Sequence, residues 1–256
     1  MSCWHSDASK RKFKIETMPY EDVMCNIDYF KVLGCKSIKF NLRGEPFLNE
    51  QLEQYLRYAK KLGYVDVMLN TNLTCNKQKL IKCLPYIDTL IVSLDSFESK
   101  TYNKLHGTDN DYIKLLYNLR ILSELSDLGK LKTRIILNYH VNKYNALESH
   151  PKTYMGFKII YRYTQNREGQ NISIKLNDKR KKKCPHMMRR VTVMANGKMY
   201  PCCVCYNEPN DIRVDDIYSD GKNGKYESHF RNALIDTYSF NMQESCKNCT
   251  SQDVYK

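Results

Sequence analysis

The amino-acid sequence predicts an α/β fold with a largely parallel sheet, followed by a small cysteine-rich region. Between residues 19 and 165, strand-like and helix-like segments alternate and are joined by short loops. Parallel neighbouring strands need a crossover connection, which an intervening helix supplies. Beyond residue 183 helical patterns thin out, and six of the eleven cysteines fall within residues 184–249. The crowding of thiols is the first sign of a metal site.

Glycine, proline and capping residues predict where the alternating segments begin and end. Gly34 and Gly63 each follow a helical pattern, where a left-handed residue commonly ends a helix. Asn49 is a suitable helix cap, and Pro85 stops a helix before it. In chain order we expect a helix over 21–33, a strand over 37–42, a helix over 50–62, a strand over 65–70, a helix over 77–84, a strand over 89–94, a helix over 111–128, a strand over 133–141 and a weaker strand over 157–163.

Repeated strand–helix units curl into an open sheet or a barrel. Both architectures place their functional residues at the carboxyl ends of the strands. Those ends are therefore where the sequence is searched for chemistry.

The net charge of +13 allows a polyanionic partner such as RNA. The basic residues are spread along the chain, which instead favours a solvated surface, so a nucleic-acid partner is not expected. The one dense run, residues 179–183, predicts a linker. No segment has the length of apolar sequence that a membrane span needs, and the first residues lack a signal-peptide pattern, so we expect a cytoplasmic protein without membrane contact.

The cysteines differ in their setting along the chain. An odd number of thiols in a chain without a secretory signal argues against a disulfide framework. Four cysteines occur singly in apolar or helical segments, and we expect them to be buried as small hydrophobic side chains. They are Cys25, Cys35, Cys75 and Cys83.

The remaining pattern brings cysteines from distant segments together. A hairpin is predicted over 190–194 and 198–200, with Asn196-Gly197 at its turn. Cys184 precedes its first strand and Cys202 follows its second, so the two ends meet. The Cys246-Lys-Asn-Cys249 segment puts two more thiolates on one tight loop. Four thiolates suit either a [4Fe–4S] cluster or tetrahedral zinc, and their spacing does not separate the two.

This cysteine pattern resembles the SPASM/twitch auxiliary-cluster domain of the radical S-adenosylmethionine (SAM) superfamily. The resemblance implies one [4Fe–4S] cluster in the twitch-type form. The implied ligands are Cys184, Cys202, Cys246 and Cys249. Cys203 and Cys205 either lie beside the cluster or include a replacement for Cys202.

Motifs at the predicted strand ends resemble the same superfamily. Gly44-Glu45-Pro46 is similar to its Gly-Gly-Glu-Pro segment, whose backbone contacts the amino group of SAM, with Arg43 at the first glycine. Asn70-Thr71-Asn72 resembles a Thr-Asn-Gly strand end, and Ser93-Leu94-Asp95 resembles a Ser-Leu/Ile-Asp-Gly motif. The cofactor-binding residues implied by the resemblance are Gly44, Glu45, Asn72, Ser93, Asp95 and Asn138.

Several of these residues have a second interpretation. Asp95 is also a candidate helix N-cap, with Glu98 as its capping partner three residues on. Further candidate pocket groups are His106, Tyr139, His140 and Glu45, although a single histidine is more often structural.

The resemblance also implies a domain plan. Residues 1–165 would form a partial (β/α)6 TIM-like barrel whose first strand is missing, residues 166–183 a basic linker, and residues 184–256 a small cysteine-rich domain of a β-hairpin and a helix.

The defining motif of the superfamily, Cys-x3-Cys-x2-Cys, holds the SAM-binding [4Fe–4S] cluster, and Cys3 resembles its third cysteine. Three interpretations stay open: the sequence is a fragment or has a misassigned start, the site has been lost, or Cys3 is an ordinary residue and other thiols complete the site.

The implied activity is radical chemistry on SAM. Such a protein generates a 5′-deoxyadenosyl radical that abstracts hydrogen from a peptide or small molecule, with flavodoxin or ferredoxin as electron donor and the cofactor supplying the chemistry. One alternative is a non-catalytic iron–sulfur protein of the same fold. Another is a zinc-stabilised basic protein that binds nucleic acid.

Overall fold

A computed structural model describes residues 17–41, 44–142, 144–163, 191–195, 197, 199 and 200. Of these, residues 20–163 belong to one compact unit, and the others belong to a second. The helices of the first unit are α1 (Tyr20–Val32), α2 (Leu52–Lys61), α3 (Lys77–Cys83), α4 (Ser99–His106) and α5 (Asp111–Asp127). Its strands are β1 (Ser37–Phe40), β2 (Asp66–Thr71), β3 (Thr89–Ser93), β4 (Arg134–Val141), β5 (Thr153–Tyr154) and β6 (Phe157–Tyr163).

The strands of this unit form one six-stranded sheet in the order β1-β2-β3-β4-β6-β5. The pairs β1·β2, β2·β3, β3·β4 and β4·β6 are parallel, and only the two-residue β5 runs antiparallel to its neighbour. The parallel strands follow one another across the sheet in chain order, so their carboxyl ends share one edge. The predicted α/β fold with a parallel sheet is confirmed.

Glycines end the first two helices as the sequence predicted. Gly34 and Gly63 have φ values of 84° and 78°, a left-handed conformation that glycine adopts without strain. The start of α2 differs from the prediction. Asn49 Oδ1 accepts a hydrogen bond from Gln51 N at 2.8 Å, so Asn49 caps the turn before the helix, and α2 begins only at Leu52.

Two elements were not predicted. Helix α4 spans only eight residues, about two helical turns, so its sequence offers little length over which to recognise a helical period. It ends at Gly107, whose φ is 70°. Strand β5 is two residues long and extends the sheet by a hairpin with β6, with Gly156 at φ 79° in the turn. Elements this short give too few residues for a pattern.

The hydrophobic core lies against one face of the sheet. Alternate strand residues point to opposite faces, and the buried set includes Val67, Leu69, Leu90, Val92 and Leu137. Buried residues of α1, α2, α3 and α5 join them in one cluster; these include Ile27, Leu56, Ala59, Leu80, Leu115 and Leu119. The helices therefore cover this face, and we call the other face the inner face.

The four isolated cysteines are only partly as expected. Cys83 is buried and Cys75 is half-buried, but Cys25 and Cys35 are exposed. Cys25 stands on the solvent side of α1, and Cys35 lies in the segment between α1 and β1. Apolar residues precede both cysteines in the sequence, but helix phase and the turn decide which side chains are covered. The predicted burial of Cys25 and Cys35 is wrong.

The second unit contains the predicted hairpin. Strand β7 (Thr192–Val193) pairs antiparallel with β8 (Met199–Tyr200), and Gly197 N donates to Met194 O at 2.9 Å. Gly197 has a φ of 79°, which explains the glycine in the turn. The predicted metal ligands Cys3, Cys184, Cys202, Cys246 and Cys249 lie outside the described residues. Among the described helices, none is long and apolar enough to cross a membrane.

Candidate functional site

Polar side chains of four strands gather on the inner face near the carboxyl ends. Residues Ser93 and Asn138 lie side by side in the β3·β4 register, and His140 and Arg162 do so in the β4·β6 register. Asn70 lies on the same face of β2, next to Ile91 of β3. Because side chains alternate along a strand, these positions all face away from the core.

Glu45 ties the loop after β1 to the end of β2. Its Oε1 accepts from Thr71 Oγ1 at 2.7 Å and from Phe47 N at 3.2 Å, and its Oε2 accepts from Asn72 N at 2.8 Å. Burial raises the pKa of the Glu45 carboxyl, although hydrogen bonds from Asn72, Thr71 and Phe47 oppose the rise. Gly44, directly before it, has a φ of 80°, so glycine suits this turn.

The loop after β2 contains a strained residue. Leu73 has a φ of 58°, a left-handed conformation that is costly for a leucine. Thr71 Oγ1 accepts from Leu73 N at 2.8 Å, and Asn118 Nδ2 donates to the carbonyl oxygens of Leu73 and Cys75, both at 2.9 Å. These hydrogen bonds hold the loop that follows the Asn70-Thr71-Asn72 segment in this conformation.

Asp95 joins two histidines just beyond β3. Its Oδ2 lies 3.0 Å from His106 Nε2 of α4, and its Oδ1 lies 3.1 Å from His140 Nδ1 of β4. The residue is 8% exposed. Burial opposes ionisation, but the hydrogen bonds and the charge attraction of His106 and His140 outweigh it and hold the pKa of Asp95 well below its ordinary value. The carboxylate is thus ionised at neutral pH.

The alternative role of Asp95 as a helix cap is wrong. Helix α4 begins after Glu98, and no side chain caps it. The hydroxyl of Ser96 accepts from Glu98 N at 2.9 Å, whereas the Asp95 carboxylate points to the histidines. An aspartate just before a helix often caps it. Here the Asp95 carboxylate instead forms hydrogen bonds with the rings of His106 and His140.

Two side chains from the loop after β4 bind the loop after β3. Asn145 Nδ2 donates to Asp95 O at 2.6 Å and to His140 O at 2.8 Å. Glu148 accepts from Ser96 Oγ at 2.5 Å, from Phe97 N at 2.7 Å and from Tyr139 OH at 2.9 Å. The bonds to Asp95, Ser96 and Phe97 cross 50 or more residues of sequence, and they fix the backbone that carries Asp95.

Two amide oxygens of the inner face have no partner. Within the described part of the chain, Asn70 Oδ1 and Asn138 Oδ1 are buried and accept no hydrogen bond, and Arg162 Nε is buried and donates none. Asn138 is 7% exposed. Buried polar groups are nearly always satisfied, so unpartnered ones on an inner face indicate a bound molecule or water.

The structure places the six predicted cofactor-binding residues at one edge of the sheet. They sit in the loop after β1, at the end of β2, at the end of β3 and on β4. Asn72 Oδ1 already accepts from Thr74 N at 3.1 Å and from Thr74 Oγ1 at 2.9 Å, and both oxygens of Asp95 are engaged. Ser93 and Asn138 stand on the inner face itself.

The other predicted pocket residues differ in whether they lie in the core or on the inner face. Tyr139 is fully buried on the core face, so its assignment to a pocket is wrong: it lies one residue from Asn138 and therefore points to the opposite side. His106 stacks on Tyr102 with ring centroids 4.1 Å apart, so its role is structural. His140, with 40% of its side chain exposed, faces the open side.

Sequence reasoning missed Thr71, Asn145, Glu148 and Arg162. The spacing of two predicted residues agrees with their position on the inner face: Asp95 follows Ser93 by two residues, and His140 follows Asn138 by two. Among the described residues, no group of three or more His, Cys, Asp or Glu side chains is arranged to hold a metal ion.

Curated relatives match half of the chain. It is 30% identical over 129 residues to a probable GTP 3′,8-cyclase of Saccharolobus islandicus and 28% identical over 130 residues to the probable GTP 3′,8-cyclase of Saccharolobus solfataricus. In each case the match covers 50% of this chain and 40% of the relative. The chain thus spans about two fifths of the length of these relatives. A comparison with protein-family models gave no match.

Solved structures share the fold. BtrN in complex with AdoMet and 2-DOIA matches with a TM-score of 0.59 at 14% identity, covering 98% of this chain and 88% of BtrN. Streptococcus suis SuiB bound to S-adenosylmethionine matches with a TM-score of 0.58 at 15% identity, covering 93% of this chain and 66% of SuiB. These two solved structures thus share the α/β fold of this chain.

Proposed function

We propose that this chain is a radical SAM iron–sulfur enzyme with a partial barrel and one auxiliary [4Fe–4S] cluster. The observation that supports this best is the tie between Glu45 and the Thr71-Asn72 strand end, because it joins two superfamily motifs at the carboxyl edge of a singly wound parallel sheet. The fold of BtrN, whose structure contains AdoMet, agrees with it.

The inner face offers partners for SAM. The cofactor carries hydrogen-bond donors in its ribose hydroxyls and its two amino groups, and the unpartnered oxygens of Asn70 and Asn138 are acceptors. Ser93, beside Asn138, adds a hydroxyl that both donates and accepts. The loop at Gly44 lies one strand further along the sheet and would present its backbone to the cofactor.

Cysteines outside the described residues would bind the clusters. We assign Cys3 to the SAM cluster and Cys184, Cys202, Cys246 and Cys249 to the auxiliary cluster. When bound, SAM and its cluster supply a 5′-deoxyadenosyl radical, and the protein supplies binding, orientation and exclusion of water. The inner-face residues orient the cofactor, and the buried core behind the sheet keeps that face rigid.

The substrate would be a peptide or a small molecule. SuiB was solved bound to the precursor peptide SuiA, and BtrN was solved with 2-DOIA, so neighbours of this fold bind either class. A reduced flavodoxin or ferredoxin is the electron donor that we propose.

The test is cleavage of SAM by the protein reconstituted with iron and sulfide. We expect 5′-deoxyadenosine under reducing conditions, and we expect its loss in Cys3→Ser. The matched control is Cys25→Ser, which replaces an exposed thiol on α1 and should keep the activity. Absence of 5′-deoxyadenosine from a fully iron-loaded protein would refute the proposal.

Metal content separates the proposal from its alternatives. Two [4Fe–4S] clusters require about eight iron atoms per chain. About four, without SAM cleavage, would indicate a non-catalytic iron–sulfur protein. A colourless protein that contains zinc would indicate the zinc-stabilised alternative.

A further inference from the structure

We propose that His140 is a proton acceptor that contacts the substrate, and that Asp95 is the positioning residue that orients it. The inference rests on the proposed function, because it places the substrate on the same inner face. It assigns the substrate a chemical class: a molecule with a hydroxyl group next to the reacting carbon.

The orientation of His140 follows from its hydrogen bonds. Asp95 is ionised and accepts only, so the bond of 3.1 Å from its Oδ1 requires the hydrogen on His140 Nδ1. The Nε2 atom then carries a lone pair. Among the described residues, Asn138 Nδ2 lies 3.5 Å from it, at the long limit of a hydrogen bond. His140 Nε2 is thus left as an acceptor on the inner face.

The rest of the cluster holds this geometry. Asp95 is fixed on one side by His106, whose ring stacks on Tyr102. Its backbone is fixed by Asn145. His140 is the one member of the cluster with a substantially exposed side chain, at 40%, compared with 18% for His106 and 11% for Asp95. A base oriented by a buried carboxylate and open on its other nitrogen is the arrangement that general-base catalysis requires.

Arg162 supplies the charge that such a step needs. It neighbours His140 in the strand register and lies on the same face. Within the described residues, its guanidinium has no carboxylate partner and its Nε has no hydrogen-bond partner. A guanidinium stabilises an anionic oxygen by charge-assisted hydrogen bonds.

The proposed step moves one proton from a substrate hydroxyl group to His140. The substrate O–H bond breaks, and its electron pair stays on the oxygen beside Arg162. A new N–H bond forms at His140 Nε2, and the resulting imidazolium is offset by the Asp95 carboxylate.

Two measurements without substrate test the inference. The first is a long-range proton–nitrogen NMR spectrum of the wild-type protein at pH 8, in which His140 should carry its hydrogen on Nδ1. A hydrogen on Nε2 would overturn the inference, and this measurement needs no variant.

The second measurement is the rate at which diethyl pyrocarbonate acylates each histidine, followed by mass spectrometry. The reagent attacks an unprotonated imidazole nitrogen, so His140 should react faster than His106. In Asp95→Asn the rate at His140 should fall about tenfold or more, because an amide no longer selects the reactive tautomer. The exposed His150 should keep its rate and serves as the internal control.

Equal rates at His140 in wild type and Asp95→Asn would refute the inference. A separate assay for 5′-deoxyadenosine distinguishes this failure from that of the proposed function. SAM cleavage without histidine effects rejects only the role of His140. Histidine effects without SAM cleavage reject the proposed function and, with it, the substrate class assigned here, but not the orientation of His140 by Asp95.

Discussion

Asp95 contributes to stability through its charge. Its folded pKa lies below the unfolded value of about 3.9, so its contribution is fully present above that pH and is lost as the pH falls through the folded pKa. We expect Asp95→Asn to lower the free energy of unfolding by about 2 kcal/mol at pH 7. The difference from wild type should shrink below about pH 4.

Urea unfolding at several pH values measures this effect. Asp109→Asn, which changes an exposed carboxylate, is the control and should lie within about 0.5 kcal/mol of wild type. A difference at Asp95 that persists unchanged in acid would show that the charge is not responsible.

Cysteine reactivity is a second prediction for single residues. Burial raises the pKa of the Cys83 thiol to about 11, and the side chain is fully buried. The thiolate is the reactive form, so iodoacetamide at pH 8 should alkylate the exposed Cys25 and leave Cys83 unmodified until the protein unfolds. Mass spectrometry of peptides before and after urea treatment checks this. Modification of native Cys83 would contradict its burial.

At the scale of single elements, the loop after β2 combines backbone strain with a buried side chain. Leu73 is fully buried and left-handed. Leu73→Ala and Leu73→Gly should both cost about 2–5 kcal/mol of unfolding free energy through lost packing. The glycine variant should be at least as stable as the alanine variant, because only glycine relieves the strain.

The same two substitutions at Leu69 provide the control. Leu69 is fully buried in β2, where the backbone is extended, so alanine should be more stable than glycine there by about 0.5–1 kcal/mol. The same order of stabilities at both positions would argue against strain at Leu73.

The loops after β3 and β4 depend on each other through Glu148. In Glu148→Gln, an amide NH2 would replace one accepting oxygen, and one of the donors Ser96, Phe97 and Tyr139 would lose its partner. We expect a loss of about 1–3 kcal/mol. Glu53→Gln on α2 changes a partly exposed carboxylate 3.6 Å from Arg57 and should cost under about 0.5 kcal/mol. Thermal unfolding of both variants makes the comparison.

At the scale of the whole molecule, the strand order predicts which strands are the most protected from amide hydrogen exchange. Strands β2, β3 and β4 have partners on both sides, whereas β1 and β5 lie at its edges. Amide hydrogen exchange should therefore be slowest in β3 and β4 and fastest in β5. Mass spectrometry of exchanged peptides checks this, and slower exchange in β5 than in β3 would contradict the topology.

The sheet also explains why the site lies on one face. The helices cover the core side, which leaves the inner face to Asn70, Ser93, Asn138, His140 and Arg162. Burying the side-chain oxygens of Asn70 and Asn138 without hydrogen-bond partners costs free energy of folding. A bound ligand that donates hydrogen bonds to them would offset this cost. Because successive side chains of a strand point to opposite faces, one face of the sheet packs in the core and the other is available for binding.

Apart from α4 and β5, the sequence alone determined the element types, their order and the glycine-ended helices, since these depend on local preferences and on periodicity over a few residues. It also determined which strand ends carry polar motifs. Tertiary structure decided which of these residues meet. Asp95 and His140 are 45 residues apart, and Glu45 and Asn72 are 27 apart, so their contacts depend on sheet register. Register also decided that Tyr139 packs in the core while His140, one residue later, faces the open side, because a strand turns successive side chains to opposite faces.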